Sequence, residues 1–421
     1  MQATIVEKDS IRKPSLSILE FAFILLACIY YSNHEVQHEY GFAMTIASTS
    51  YVIFCYVKEP RFRKKILAFL LMLILFSVLY LLLTDSLSIS TYATNRDFKR
   101  FFSKYSQYIL MFMPLFMFYR TATRASLKQM YIIIGVILVN LVILAQTARD
   151  AAARDAEILH TFDAESIEGT GLSKSGFYYV YAYTFLVLTG WICFKYVKKK
   201  IIQYISLGFA IFSLILLINA QYALSVITTF ISLLYVSVSC SERPSQKMGR
   251  FIAVVLILLL SPFLIRGIMS VSSSRIINDR LAEVYDLITG EDTTTGTDGQ
   301  GRLELYWMCI KAFFSSPIIG NRTLPADGHS TFLTVAADIG IYGVFFLYTF
   351  FKQFYKVVAE ILGNKIAYFK PLMLQILLMG FTNPIHSSPT IYINLFFMCP
   401  LIIMLLIDNN RMSKGLSLSS I

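Results

Sequence analysis

Long apolar runs separated by short polar breaks dominate this chain, and the runs are too continuous to be one face of soluble helices. A stretch of roughly 17–25 apolar residues is long enough to cross a bilayer as a helix. Twelve such stretches occur, near 15–32, 41–57, 66–84, 106–119, 129–147, 177–194, 201–218, 222–239, 251–270, 329–350, 366–384 and 391–407. The fourth is short and borrows flanking residues. Only Asn219, Ala220 and Gln221 separate the seventh from the eighth, which predicts a tight hairpin. The expected fold is an all-α polytopic membrane protein, with residues 1–421 forming a single integral membrane domain.

Composition agrees. Of 421 residues, 56% are hydrophobic and only 15% are charged, against about 25% charged in an ordinary soluble domain. One water-solvated core cannot hide that much apolar surface, so lipid must solvate much of it. This excludes a disordered chain, a nucleic-acid binder built on a basic surface and a cytosolic enzyme.

The net charge of +11 is a matter of sidedness. With the N-terminus inside, the segments facing the cytoplasm are the two tails and residues 58–65, 120–128, 195–200, 241–250 and 352–365. Together they hold 23 of the 37 Lys and Arg residues and 6 acids. The other side holds 13 basic residues and 18 acids, and Lys370 lies at the end of a span. Lys/Arg excess marks the cytoplasmic side, so both termini are expected there.

Two long outer loops follow, 148–176 and 271–328, and all five histidines (His34, His38, His160, His329, His386) fall on that side. Long ordered loops are usually functional, which points the working surface outward. The first apolar run is span-length and lacks a small-residue cleavage site, so no cleavable signal peptide is expected. Cys28, Cys55, Cys193 and Cys399 lie in spans, Cys240 on the cytoplasmic side and Cys309 outside, which makes no disulfide framework. No repeat of 20–50 residues and no transporter-like halving is visible.

The larger loop carries the densest pattern. Gly290 to Gly301 is polar and Gly-rich, a turn region. Arg302 then opens a run to Phe314 in which Leu303, Tyr306, Trp307, Ile310, Phe313 and Phe314 recur at helical spacing, predicting an interfacial helix near 302–314. Ser315-Ser-Pro-Ile-Ile-Gly320 ends it. His329-Ser-Thr-Phe-Leu333 then enters a span that continues through Asp338, Gly340 and Gly343.

The ordered set resembles the O-antigen polymerase and O-antigen ligase superfamily: a Gly-Arg pair, an amphipathic helix with Trp, a Ser-Pro-x-x-Gly turn, and His-Ser-x-x-Leu before an acid and glycines. It covers residues 270–345, under a fifth of the chain. The resemblance implies a GT-C-like membrane fold with its large outer loop between helices 9 and 10, and metal-independent glycosyl transfer without a cofactor. The implied substrate is a polyprenyl-pyrophosphate-linked oligosaccharide, polymerised on the outer face of the cytoplasmic membrane into O-antigen or capsular polysaccharide. The other implied partners are membrane lipid and a chain-length regulator protein, with no nucleic acid. One departure matters. Ligase-like members often carry an Arg in the hairpin between spans seven and eight, and here that hairpin reads Asn219-Ala-Gln-Tyr-Ala223. Lys174 is the first substitute cation and Arg322 the second.

The chemistry needs a base for the acceptor hydroxyl and cations for the departing pyrophosphate. Imidazole titrates near neutrality, which suits His329 as the base. Guanidinium binds phosphate oxygens bidentately, which suits Arg302; a solvated loop arginine is the alternative. Glu304 can position Arg302 or simply face water. Asp338, nine residues past His329 in a continuous helix, would sit roughly 13 Å deeper and nearly opposite. Its expected work is orienting a neighbouring helix. His34 and His38 stand at i, i+4, but nothing else converges on them and no metal site is expected.

Three other readings stand beside the polymerase. A ligase would use the same donor but lipid A core as acceptor. A lipid-linked oligosaccharide flippase or transporter would show related halves and polar groups at the bilayer midplane. A non-catalytic assembly subunit would depend on no single His or Arg.

Overall fold

Helices cover the described apolar stretches, because uninterrupted runs of Leu, Ile, Phe and Val leave main-chain groups no partner but one another. Three of them run well past the expected bounds, over 34–58, 94–124 and 127–154 against 41–57, 106–119 and 129–147. The computed structural model describes residues 15–60, 63–85, 94–154, 178–219, 223–239, 298–320, 330–383, 385 and 389–407, with isolated positions between 252 and 285. Every regular element among these is helical. In order they are α1 (Ile18–Ser32), α2 (His34–Lys58), α3 (Arg63–Asp85), α4 (Thr94–Arg124), α5 (Leu127–Arg154), α6 (Tyr178–Tyr196), α7 (Lys200–Asn219) and α8 (Ala223–Ser239). Then come α9 (Asp298–Ser315), α10 (Thr331–Ile339), α11 (Ile341–Leu362), α12 (Ile366–Thr382) and α13 (Pro389–Leu406).

Among the described residues, three segments are long and apolar enough to cross a membrane: Glu39–Lys58, Lys200–Ile218 and Pro389–Leu406. Large apolar side chains also point outward at helical spacing, such as Leu67, Leu71 and Leu75 on α3 and Ile201, Ile205 and Ile215 on α7. An exterior of this kind is compatible with lipid as solvent.

The tenth apolar stretch, 329–350, is not one helix. It breaks at Gly340 (φ +66°), and α11 continues to Leu362, through the segment expected to form a cytoplasmic connection. Phe350, Phe354, Val357, Val358 and Leu362 repeat at helical spacing and are buried, while Lys352, Lys356 and Glu360 occupy the exposed face. The turn region 290–301 is also shorter than expected, since α9 already begins at Asp298, a residue type favoured at helix starts. The ninth stretch, 251–270, lies largely outside the described residues.

Helix α4 is the core of the bundle. Tyr108 to Phe118, Pro114 included, is buried throughout. Pro114 has no N–H, so the Leu110 carbonyl one turn earlier loses its helical donor. Tyr31 of α1 supplies one, its hydroxyl donating to Leu110 O at 2.6 Å. Aromatic rings extend this core to α11, with Phe112 and Phe350 4.4 Å apart edge to face.

One end of the bundle is held by charge. Ser17 caps α1, accepting from Glu20 N at 3.2 Å, but the Glu20 carboxylate reaches across to Arg120 on α4. Arg120 Nε and Nη2 donate to its two oxygens at 2.7 Å each, and Nη1 donates to Glu59 at the end of α2. All three side chains are buried. Arg120, counted above as a loop cation, is therefore an interior group, because α4 runs on to Arg124. The same end holds the start of α5, where Ser126 and Gln129 form a reciprocal cap.

Candidate functional site

At the opposite end, the last turn of α12 leaves carbonyl groups without helical donors. Hydroxyls from α9 and the start of α10 take them up, while a third element, α6, binds the Asn383 side chain. Ser330 Oγ donates to Gly380 O at 3.2 Å and accepts from Leu333 N at 3.2 Å, so it caps α10 while binding α12. Thr331 donates to Asn383 O twice, from its main-chain N and from Oγ1, both at 3.2 Å. Tyr306 of α9 donates its hydroxyl to Thr382 O at 3.1 Å. Tyr181, near the start of α6, donates to Asn383 Oδ1 at 2.8 Å, and Asn383 Nδ2 donates to Thr382 Oγ1 at 2.8 Å. Gly380 permits the approach: a Cβ there would come within 2.3 Å of the Phe332 ring.

This hub gathers the surroundings of three expected site residues. Ser330 directly follows His329 in sequence, Tyr306 stands four residues after Arg302, and Tyr181 seven after Lys174. His329, Arg322 and Lys174 themselves lie outside the described residues, as do the side chains of Arg302 and Glu304, which are placed only as positions on α9.

A second device fixes the chain on both sides of His329. The Ser-Pro-Ile-Ile-Gly turn crosses the α10–α11 break, with Ile341 N donating to Pro317 O at 2.8 Å. The two glycines face each other's strands of chain. A Cβ on Gly320 (φ +80°) would lie 2.3 Å from the Asp338 carbonyl, and one on Gly340 would lie 2.6 Å from that of Ile318. Both spacing and positive φ demand glycine. Asp338 is half-buried on the short α10, beside this crossing. Helix α10 runs unbroken from Thr331 to Ile339, so the break at Gly340 lies beyond Asp338 and not between it and the helix start.

Helix α9 turns Cys309 and Ala312 inward against Leu333 and Ala337 of α10. Trp307 and Phe314 are exposed on the other side, and the Lys311 ammonium lies 5.6 Å from the Trp307 ring centre. The apolar face expected over 302–314 is thus divided: Tyr306 and Cys309 serve the fold, while Trp307 and Phe314 face the surroundings. His34 and His38 occupy the first turns of α2, before its break at Tyr40. Among the described residues, no group of three or more His, Cys, Asp or Glu could hold a metal ion.

Sequence reasoning missed Tyr181, Tyr306, Thr331 and Asn383 as partners. Asn383 was visible only as a polar residue ending an apolar stretch, with nothing to say which helices would meet it. It also passed over Arg266, whose guanidinium stands 4.6 Å from the Tyr285 ring centre.

No protein-family model and no curated protein matches this chain.

Proposed function

We propose that this chain is a membrane glycosyltransferase that polymerises polyprenyl-pyrophosphate-linked oligosaccharide repeats into O-antigen or capsular polysaccharide. In this reading it is a GT-C-like protein of twelve spans in the cytoplasmic (inner) membrane, with both termini in the cytoplasm. The observation that carries the reading is the hub at the end of α12, where the stretches next to His329, Arg302 and Lys174 meet. A transfer site needs its base and its cations held in one place, since misplacement by about 1 Å costs up to 10²-fold in rate.

His329 takes the proton from an acceptor sugar hydroxyl as that oxygen bonds to the anomeric carbon of the donor. The bond from that carbon to the pyrophosphate oxygen breaks, and the polyprenyl pyrophosphate leaves with the electron pair. Arg302, with Lys174 and Arg322, stabilises the charge that develops on it. Glu304 orients Arg302, and Asp338 supports the crossing beside Gly320.

The test uses purified full-length protein in lipid nanodiscs with the lipid-linked oligosaccharide that accumulates in cells deleted for this chain. A ladder of polymer is the expected product. Protein in sealed vesicles that moves this lipid across the bilayer without lengthening it would instead be a flippase. Transfer only when lipid A core is added would identify a ligase.

A further inference from the structure

The geometry points to Tyr181 and Asn383 as a positioning pair for glycan transfer, acting through the start of α10; this rests on the function proposed above. The main-chain carbonyl of Asn383 receives donors from Thr331 N, Thr331 Oγ1 and Ile385 N, the last at 2.9 Å. It is the fixed point on which α10 begins. Its direction depends on how the Asn383 residue sits at the end of α12, where its conformation is extended (φ −147°, ψ 155°). Its main-chain N–H keeps the last helical bond, to Met379 O at 2.7 Å, while its extended ψ turns the carbonyl away from the helix. Its side chain adds a second hold, with the amide clamped between Thr382 Oγ1 on its own helix and the Tyr181 hydroxyl on α6.

Tyr181 and Asn383 are both buried, so water offers a poor substitute if the bond between them is lost. The path of influence is short: the Tyr181 hydroxyl to the Asn383 amide, the Asn383 carbonyl to Thr331, and Thr331 to the residue two positions before it, His329. Tyr181 also lies in the first turn of α6, the helix that follows the stretch bearing Lys174. One hydrogen bond thus joins the described ends of the two outer stretches to which base and cation are assigned. Neither residue need touch the substrate for this, which makes them positioning residues and not catalytic ones.

The experiment makes Tyr181→Phe, Asn383→Leu, their double variant and Asn383→Asp in the full-length protein, using the nanodisc assay above. Tyr181→Phe and Asn383→Leu should each lower kcat tenfold or more with KM within twofold, because substrate affinity is left alone while geometry is lost. The double variant should be no slower than the slower single, as expected for two halves of one interaction. Asn383→Asp keeps an oxygen for the Tyr181 hydroxyl and should recover most of the rate. Amide hydrogen exchange of residues 330–334 should rise in the two single variants and stay near the parent level in Asn383→Asp. Turnover within twofold of the parent in Tyr181→Phe, or unchanged exchange at 330–334, overturns the inference. Failure of the function itself shows separately, as a parent protein that makes no polymer or a fully active His329→Ala, and the exchange comparison still decides the pair.

Discussion

Arg120 of α4 grips both carboxylate oxygens of Glu20 of α1, a residue 100 positions earlier, at 2.7 Å each, and reaches Glu59, the residue just past α2, with its remaining nitrogen. A buried arginine bonded to two carboxylates ties three helices at one point. Removing the cation alone leaves two buried carboxylates without it, which typically costs about 3–5 kcal/mol. Arg120→Met should therefore lower the melting temperature sharply. Arg120→Lys should not restore it, since an ammonium cannot match the two-pronged geometry. Adding Glu20→Leu and Glu59→Leu to Arg120→Met should recover most of the loss, because replacing a whole buried cluster by apolar groups is often neutral. Circular-dichroism melts in detergent read all of these, and a triple variant no better than Arg120→Met would defeat the argument.

Tyr31 and Pro114 form a matched pair. Tyr31→Phe strips the Leu110 carbonyl of the donor that replaces the missing proline N–H, at a cost of about 1–3 kcal/mol. Pro114→Ala restores the helical donor, so Tyr31→Phe should cost less than half as much in that background. Strictly additive losses in a double-mutant cycle would show that the two are independent.

Gly320 and Gly363 both have positive φ, yet they should respond differently to alanine. At Gly363 nothing lies within 4 Å of an added Cβ, so only backbone strain is paid, of order 1–3 kcal/mol. At Gly320 the same strain is joined by a 2.3 Å clash with the Asp338 carbonyl. Gly320→Ala should be the less stable protein and should lose polymer, while Gly363→Ala keeps it. Melts and glycan gels on the two variants check this, and equal behaviour would mean that the crossing yields.

Arg302→Ala should lose far more activity than Arg302→Lys, because lysine keeps the charge and gives up only the bidentate geometry. Chain lengths on glycan gels measure it. Near-normal chains in both variants would remove Arg302 from the site.

His329→Ala and His329→Gln should both leave a folded, inserted protein that makes no long glycan and accumulates single lipid-linked repeats. Loss of a general base typically costs about 10²–10⁴ in rate, and an amide cannot take up the proton. His34, His38 and His386 are the controls, and their alanine variants should keep the polymer. Near-normal polymer from His329→Gln would assign this residue to packing and send the search for the base elsewhere in the outer loops.

Sequence alone determined that this protein is helical and apolar enough for lipid, and it located most helices to within a few residues. That information is local: an unbroken apolar run has few other ways to satisfy its main chain, and its length is written in the run itself. It also singled out the Ser-Pro-Ile-Ile-Gly turn and Gly340, without their purpose. Tertiary structure alone decided that these two stretches cross, because the need for glycine at 320 arises from a carbonyl 18 residues away. It likewise decided that stretch 329–350 is two helices, that Arg120 is an interior group, and that Thr382 and Asn383 are where α6, α9, α10 and α12 meet. Each of these depends on a partner distant in the chain. A polar residue in an apolar stretch announces that it must be satisfied, and only the folded chain chooses by which donor.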